Sequence, residues 1–241
     1  MEKSVSEAIE YRRSVRRYDA KKVLNKKDVE ACIRQATLAP TSSNLQLWEF
    51  YHITNPETLK ELSTACFGQA AAATALQLVI PIVRKDLWKK RVNANLKFLN
   101  AQFEAQEVRN TKQEKMALNY YRKVIPTIYK DFFGILGLIK KVAATITGAF
   151  RPMYREVSAT DLRVVAHKST ALAAQNFMIS MAAKGIDTCP MEGFDSKRVR
   201  QILGLPKSAQ ISMIIGCGYR DMGGINGPRF RVPFDEVYHK I

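Results

Sequence analysis

Histidine, cysteine and acidic side chains are all scarce in this chain, and each shortage removes a class of function. The three histidines, His52, His167 and His239, stand far apart among 241 residues, which leaves no basis for a histidine metal cluster. The four cysteines, Cys32, Cys66, Cys189 and Cys217, form no CxxC pair. Their spacing matches neither a zinc site nor a small disulfide framework and suits reduced thiols in a cytosol. No secretory leader is expected, because MEKSVSEAIEYRR carries early acids and no apolar stretch. Lys140 and Lys141 interrupt the apolar pattern near 132–150, so a transmembrane span is not expected either. A cytoplasmic protein without a metal is the expectation.

The shortage of acids leaves 22 Asp and Glu against 38 Lys and Arg, a net charge of +16. Such a balance invites nucleic acid, an anionic membrane or an anionic small molecule as partner. Its distribution is uneven. From Arg84 to Arg155 there are sixteen Lys or Arg and five Asp or Glu, an excess of +11. The basicity belongs to a segment and not to the whole fold. Hydrophobic residues make up 46% of the chain, enough for one substantial core or a domain with a large insertion.

Periodicity places the main elements. VSEAIEYRR reads as a short helix. NKKDVEACIRQATLAP reads as a longer one, with Asn25 as N-cap and an apolar stripe of Val29, Cys32, Ile33 and Ala36. WEFYHIT alternates as a strand, with Trp48, Phe50 and His52 on one face. ALQLVIPIV, residues 75–83, has the continuous apolar character of a strand buried on both faces. A helix over 170–185 ends at Gly185, a strand follows near IDTCP, DSKRVRQILG is a short helix, and 209–221 is a last strand.

Residues 84–165 read as a basic helical insertion. Within it, Phe132, Ile135, Leu136, Ile139, Val142, Ala143, Ile146 and Phe150 fall at helical spacing. That stretch could be a helix buried in the core or a dimer interface, a lid, or an interfacial membrane helix.

Four short segments carry chemistry. In RRSVRRY, Arg12, Arg13, Ser14 and Arg16 offer bidentate donors for a phosphate, or a solvated basic turn. In LAPTSSNLQLWEF, Pro40, Thr41, Ser42 and Asn44 offer polar groups for the edge of a planar ligand, or an ordinary connection. In CPMEGFD, a strand ends at Pro190 and turns through Met191, Glu192 and Gly193 toward a helix capped by Asp195, exposing backbone N–H groups. In PRFRVP, Arg229 and Arg231 alternate and point the same way in an extended tail.

In this order the four segments resemble the nitroreductase family of FMN-dependent oxidoreductases. The matches are Arg12, Ser14 and Arg16, then PTSSNLQLW, then AAQNFMISMAAKGIDTCPMEGFD, then RFRVP. They cover roughly residues 1–83 and 165–241. The resemblance implies an α+β, three-layer sandwich, a mainly antiparallel central sheet flanked by helices, forming a homodimer with FMN at the interface.

It further implies that Arg12, Ser14, Arg229 and Arg231 hold the FMN phosphate, with Arg13 assisting and Arg16 reaching the ribityl chain or the pyrimidine edge. Pro40, Thr41, Ser42 and Asn44 would lie along the flavin of the partner. Pro190, Met191, Glu192 and Gly193 would line its other face, the Glu192 N–H donating to flavin N5, and Gln69 would touch the polar rim. The implied reaction is ping-pong hydride transfer from NADH or NADPH to a small-molecule electron acceptor, a nitroaromatic, quinone or similar compound. A specialised flavoenzyme, reductive dehalogenase-like or flavin-modifying, is the alternative, with the insertion as lid. Neither nucleic acid nor a membrane is implied as partner. Leu47 departs from the family's proline before Trp48, and no family position carries over to 84–165. Trp88, Phe98, Phe103, Tyr120, Tyr121, Phe132 and Phe133 are candidates there for a substrate wall or for core packing.

Overall fold

A computed structural model of the chain describes residues 2–108, 110–130 and 135–241. In chain order the elements are α1 (Val5–Tyr11), α2 (Lys26–Ala36), β1 (Trp48–Ile53), α3 (Pro56–Ala65), α4 (Ala70–Ala73), β2 (Gln77–Val83), α5 (Trp88–Glu104), α6 (Thr111–Asn119), α7 (Ile125–Tyr129), α8 (Ile135–Phe150), α9 (Ala159–Ala183), β3 (Asp187–Met191), α10 (Ser196–Ile202), β4 (Gln210–Ile211) and β5 (Ile214–Gly218). Phe132 and Phe133, candidates for the substrate wall, lie outside the described residues.

The sheet is built around β2, whose seven residues are all buried. Its order is β1-β2-β5-β3, every pairing is antiparallel, and β4 also pairs with β2. Side chains alternate across the strand. Leu78, Ile80 and Ile82 pack with Leu62 and Cys66 beside α3 and with Val199 of α10. Val79 points the other way, onto Cys32 of α2 and Phe177 and Met181 of α9. Helices therefore cover both faces of an antiparallel sheet, the α+β three-layer sandwich. β1 follows the same rule, with Tyr51 and Ile53 on the first face and Phe50 on the second.

Local signals explain most element starts. Ser4 and Glu7 form a capping box on α1, and Asn25 Oδ1 accepts from the Lys27 N–H at 3.0 Å to start α2. The long helix departs from the reading that begins it at 170. It starts at Ala159, because Ser158 and Asp161 form a second capping box. Arg163, His167 and Lys168 break the apolar stripe of its first turns and hide the start from periodicity. The expected strand over 209–221 is divided into β4 and β5. Pro81 of β2 has no N–H for the ladder there, and its carbonyl instead accepts from the Ser212 N–H at 3.0 Å.

Helices α5 and α7, with a π-helical turn at Tyr120–Val124, pack onto the connection before β1. The cluster joins Leu45 and Leu47 to Val92, Ile125, Tyr129 and Leu162. On α8, Ile139, Val142, Ile146 and Phe150 are each more than half exposed, so these residues are not part of the chain's own core. No helix among the described residues is long and apolar enough to cross a membrane.

Candidate functional site

The N-terminal and C-terminal arginines meet in one cleft. After α1 the chain turns extended at Arg12 and runs beside β3, with Ser14 bridged to Thr188 and the Val15 N–H donating to the Thr188 carbonyl at 3.2 Å. The tail comes in from the other side. Arg229 Nη2 donates to the carbonyls of Glu10 (2.6 Å) and Arg12 (2.8 Å), and Arg13 Nη2 donates to the Gly227 carbonyl at 2.9 Å. A cleft of about 240 Å³ results, lined by Arg12, Arg13, Ser14, Arg16, Arg229 and Arg231, with Ile225 and Asn226 on its wall.

Its electrostatics are one-sided. Burial and then the charges of Arg229 and Arg231 hold the Arg12 guanidinium below its ordinary pKa. Among the described residues none of the ion pairs involves Arg12, Arg13, Arg16, Arg229 or Arg231. Like charges gathered without a carboxylate repel one another, and an anion relieves that repulsion. The buried Thr188 hydroxyl, on the residue bridged to Ser14, also lacks a hydrogen-bond partner. Converging guanidiniums suit a phosphate monoester. Arg17, claimed by no motif, is a surface charge 3.6 Å from Asp221.

A second network sits beside this segment. The buried Asp187 carboxylate accepts from the Arg220 backbone N–H (2.7 Å), from its Nε (3.0 Å) and from Nη2. The guanidinium stacks 4.3 Å over the Tyr11 ring, and Tyr11 donates to the Gly185 carbonyl at 3.2 Å. These contacts fix the end of α1 to β3 and β5. Tyr18 adds a clamp, its hydroxyl donating to the Gly216 carbonyl at 2.8 Å. Its ring covers Gly218 so closely that a Cβ there would lie 2.7 Å from it, so no larger residue fits. None of Asp187, Arg220 and Tyr18 was apparent in the sequence. The signal is an acid and a base at the adjoining ends of β3 and β5, visible once the register is known.

The turn after β3 is held by Gln69, whose Nε2 donates to the carbonyls of Gly193 (2.6 Å) and Cys66 (3.0 Å). Met191 is buried, Pro190 half-buried, and Glu192 and Gly193 exposed. Asp195 caps α10, accepting from the N–H groups of Lys197 and Arg198.

The Pro40–Asn44 loop lines a different part of the surface, and none of its residues borders the arginine cleft. Its backbone is strained, with positive φ at Ser43 (54°), Asn44 (49°) and Gln46 (47°). Non-glycine residues hold such angles only where neighbours enforce them. Here Asn44 Nδ2 donates to Asn95 Oδ1 (3.2 Å), Asn95 Nδ2 donates back to the Asn44 carbonyl (3.1 Å), and Thr41 Oγ1 accepts from the Gln46 N–H (3.2 Å). Tyr121 donates to the Ser43 carbonyl at 3.0 Å, the Tyr120 and Ser43 hydroxyls lie 2.7 Å apart, and Ser42 N–H reaches Ser169 Oγ at 3.4 Å. Of the aromatic candidates, Trp88 packs against Tyr129 in the core and Phe98 is exposed.

The fold and cleft define an α+β sandwich with an arginine-lined cleft closed by residues 12–16 and 225–231. The nitroreductase family model matches residues 9–219. A Staphylococcus saprophyticus protein provisionally named an NAD(P)H nitroreductase is 27% identical over 227 residues, covering 92% of this chain and 90% of that protein. A Staphylococcus epidermidis structure, provisionally described as an NAD(P)H:FMN oxidoreductase, aligns over 100% of this chain and 98% of its own with TM-score 0.71 and 17% identity. An Exiguobacterium sibiricum structure, provisionally described as a nitroreductase in complex with FMN, aligns over 99% and 98% with TM-score 0.69 and 20% identity. The chain belongs to the nitroreductase family.

Proposed function

We propose that the chain is an FMN-dependent oxidoreductase that takes electrons from NADH or NADPH and passes them to a small oxidised acceptor such as a nitroaromatic or quinone. The observation that carries this reading is the convergence of Arg12, Arg229 and Arg231 on one cleft with no carboxylate among them. When bound, FMN would supply the redox chemistry, two-electron hydride transfer from NADH or NADPH to the acceptor in ping-pong order. The protein positions and tunes. Arg12, Ser14, Arg229 and Arg231 hold the phosphate, and Arg13 steadies the tail through Gly227. Arg16 sets positive charge toward the ribityl chain and the pyrimidine edge. Pro190 and Met191 would back the ring and the Glu192 N–H would donate to it, in a turn that Gln69 fixes through the Gly193 carbonyl.

A homodimer completes the site in this reading, because Pro40, Thr41, Ser42 and Asn44 reach a flavin only on a second copy. Two features support it. A 27.3 kDa monomer is expected to expose about 10,900 Å², whereas this chain exposes 15185 Å². The tail also leaves Phe230, Phe234, Val237 and Tyr238 more than half exposed, apolar area that association removes from water.

We read the chain as one domain with a basic helical insertion at about 84–165. The Tyr120 and Tyr121 hydroxyls contact Ser43 of the loop read here as flavin-side, which supports the second reading of a specialised flavoenzyme with the insertion as lid. Purified protein tests the first proposal directly. A yellow preparation that releases FMN on denaturation and bleaches with NADH or NADPH is expected. A colourless protein that fails to take up FMN at micromolar concentration overturns it. Turnover with simple quinones separates the two enzymatic readings, since a specialised enzyme reduces them poorly.

A further inference from the structure

Helix α8 turns small residues inward and large ones outward. Gly137 and Ala144 are buried, whereas Ile139 is 57% exposed, Val142 52%, Ile146 60% and Phe150 86%. On the 3.6-residue repeat these four fall on one stripe with the exposed Ala143 and Ala149, opposite Gly137 and Ala144. A surface helix ordinarily buries such a stripe against its own core. Here a cavity of about 460 Å³ lies between α7 and α8, so even the inward side of the helix has few close contacts. Met153 and Tyr154, just past its end, are also exposed. Contiguous exposed apolar surface of this kind marks a partner or a membrane.

Charge decides between them. Between Asp131 and Glu156 the chain has no acid and four cations, Lys140, Lys141, Arg151 and Arg155. Lys140 donates back to the Ile128 carbonyl at 3.1 Å, and Arg155 to that of Gly148 at 2.7 Å. Lys141 and Arg151 are exposed, and neither is in an ion pair among the described residues. The Asp161 carboxylate, which feels the Lys141 charge, is already taken by the N–H and hydroxyl of Ser158. In a two-fold contact between stripes, Lys141 and Arg151 would meet the same cations of a second copy. Anionic headgroups attract them instead. We propose that α8 docks the protein on an anionic lipid surface, with Ile139, Val142, Ile146 and Phe150 among the acyl chains and Lys141 and Arg151 at the headgroups. At 16 residues the helix is about 24 Å long, short of the ~30 Å hydrocarbon core. It therefore lies along the interface and does not cross it. In this the chain departs from the family resemblance, which implies no membrane partner. Docking by this surface does not depend on flavin binding.

Flotation of the purified full chain with lipid vesicles tests this. The protein is expected to float with vesicles of equal parts phosphatidylcholine and phosphatidylglycerol, and about tenfold more weakly with phosphatidylcholine alone. Ile139→Ser, Ile146→Ser and Phe150→Ser combined are expected to reduce flotation about tenfold, with far-UV circular dichroism unchanged because all three side chains already face water. Val23→Ser, at a residue 88% exposed outside α8, is expected to change nothing. Lys141→Glu with Arg151→Glu is expected to weaken binding to the mixed vesicles only. Phe150→Trp keeps the stripe apolar, and its added fluorescence over wild type is expected to shift to shorter wavelength with the mixed vesicles. No flotation of the wild type, equal binding to both vesicle types, unchanged flotation of the serine variant, or no shift in Phe150→Trp overturns the proposal. If the serine variant loses self-association while the wild type never floats, the stripe belongs to a second copy, which overturns it likewise. Flotation by a protein that takes no flavin sinks only the oxidoreductase reading.

Discussion

Arg229 Nη2 donates to the Arg12 carbonyl at 2.8 Å, a hydrogen bond between residues 217 positions apart. The contact draws two cations together, which Coulomb repulsion alone opposes. Backbone carbonyls of Glu10 and Arg12 make the approach possible by accepting from the same nitrogen. The fold thus assembles a positive site whose components have little affinity for one another. An anion placed among them relieves that repulsion.

The first expectation concerns that anion. With Arg12→Ala and Arg231→Ala combined, FMN affinity is expected to fall by several kcal/mol, given roughly 1.5–3 kcal/mol per charged hydrogen bond. Flavin fluorescence titration measures it. Unchanged affinity would place the phosphate elsewhere.

The same cluster should respond to simple anions. In flavin-free protein, phosphate is expected to raise Tm more than chloride at equal ionic strength, because binding to the folded state alone stabilises it by mass action. The increment should vanish in the Arg12→Ala, Arg231→Ala protein. Equal increments in both proteins point to nonspecific salt effects.

The Asp187–Arg220 pair is expected to matter for stability and not only for the site. Asp187 has a side chain 2% exposed and Arg220 one 30% exposed, so removing the acid leaves a partly buried cation without its partner. Asp187→Asn should lower unfolding free energy by about 3 kcal/mol, read from urea denaturation of the flavin-free protein. A change under about 0.5 kcal/mol contradicts the burial of this pair.

Much of this was legible in the sequence, for physical reasons that also mark where legibility ended. Asn25 declares a helix start because its side chain can cap only a free N–H, and 77–83 declares a central strand because both its faces are apolar. The segments holding Arg12 and Arg229 were readable as motifs, and their meeting required the fold. Asp187 and Arg220 look like unrelated surface charges until β3 pairs with β5. Asn95, in a polar helix, gave no sign that it grips Asn44 across a strained loop. Long-range pairing supplies that information, and local pattern does not contain it.

Alkaline stability offers a last test, centred on the helices that carry the loop. Burial, with smaller contributions from Tyr154 and Tyr120, pushes the Tyr129 phenol from its ordinary 10.0 up to about 12. In the unfolded chain the phenol ionises near 10. Below that pH both states hold the proton, and Tyr129 contributes its full share to stability. Between about pH 10 and about 12 the unfolded state has released the proton while the folded state retains it, so rising pH favours unfolding. The loss attributable to this residue is at most about 2–3 kcal/mol across that window. Other buried groups titrate nearby, Cys66 being pushed up to about 11 by burial, so wild-type stability alone does not isolate the phenol. Comparison with Tyr129→Phe does, since the ring and its packing on Trp88 remain. The variant is expected to lose less stability than wild type between pH 9 and 11.5 in urea unfolding, with little difference at pH 7. Parallel curves for the two proteins would show that the Tyr129 hydroxyl is solvated, and that α7 is not packed against Leu45 and Leu47 as described.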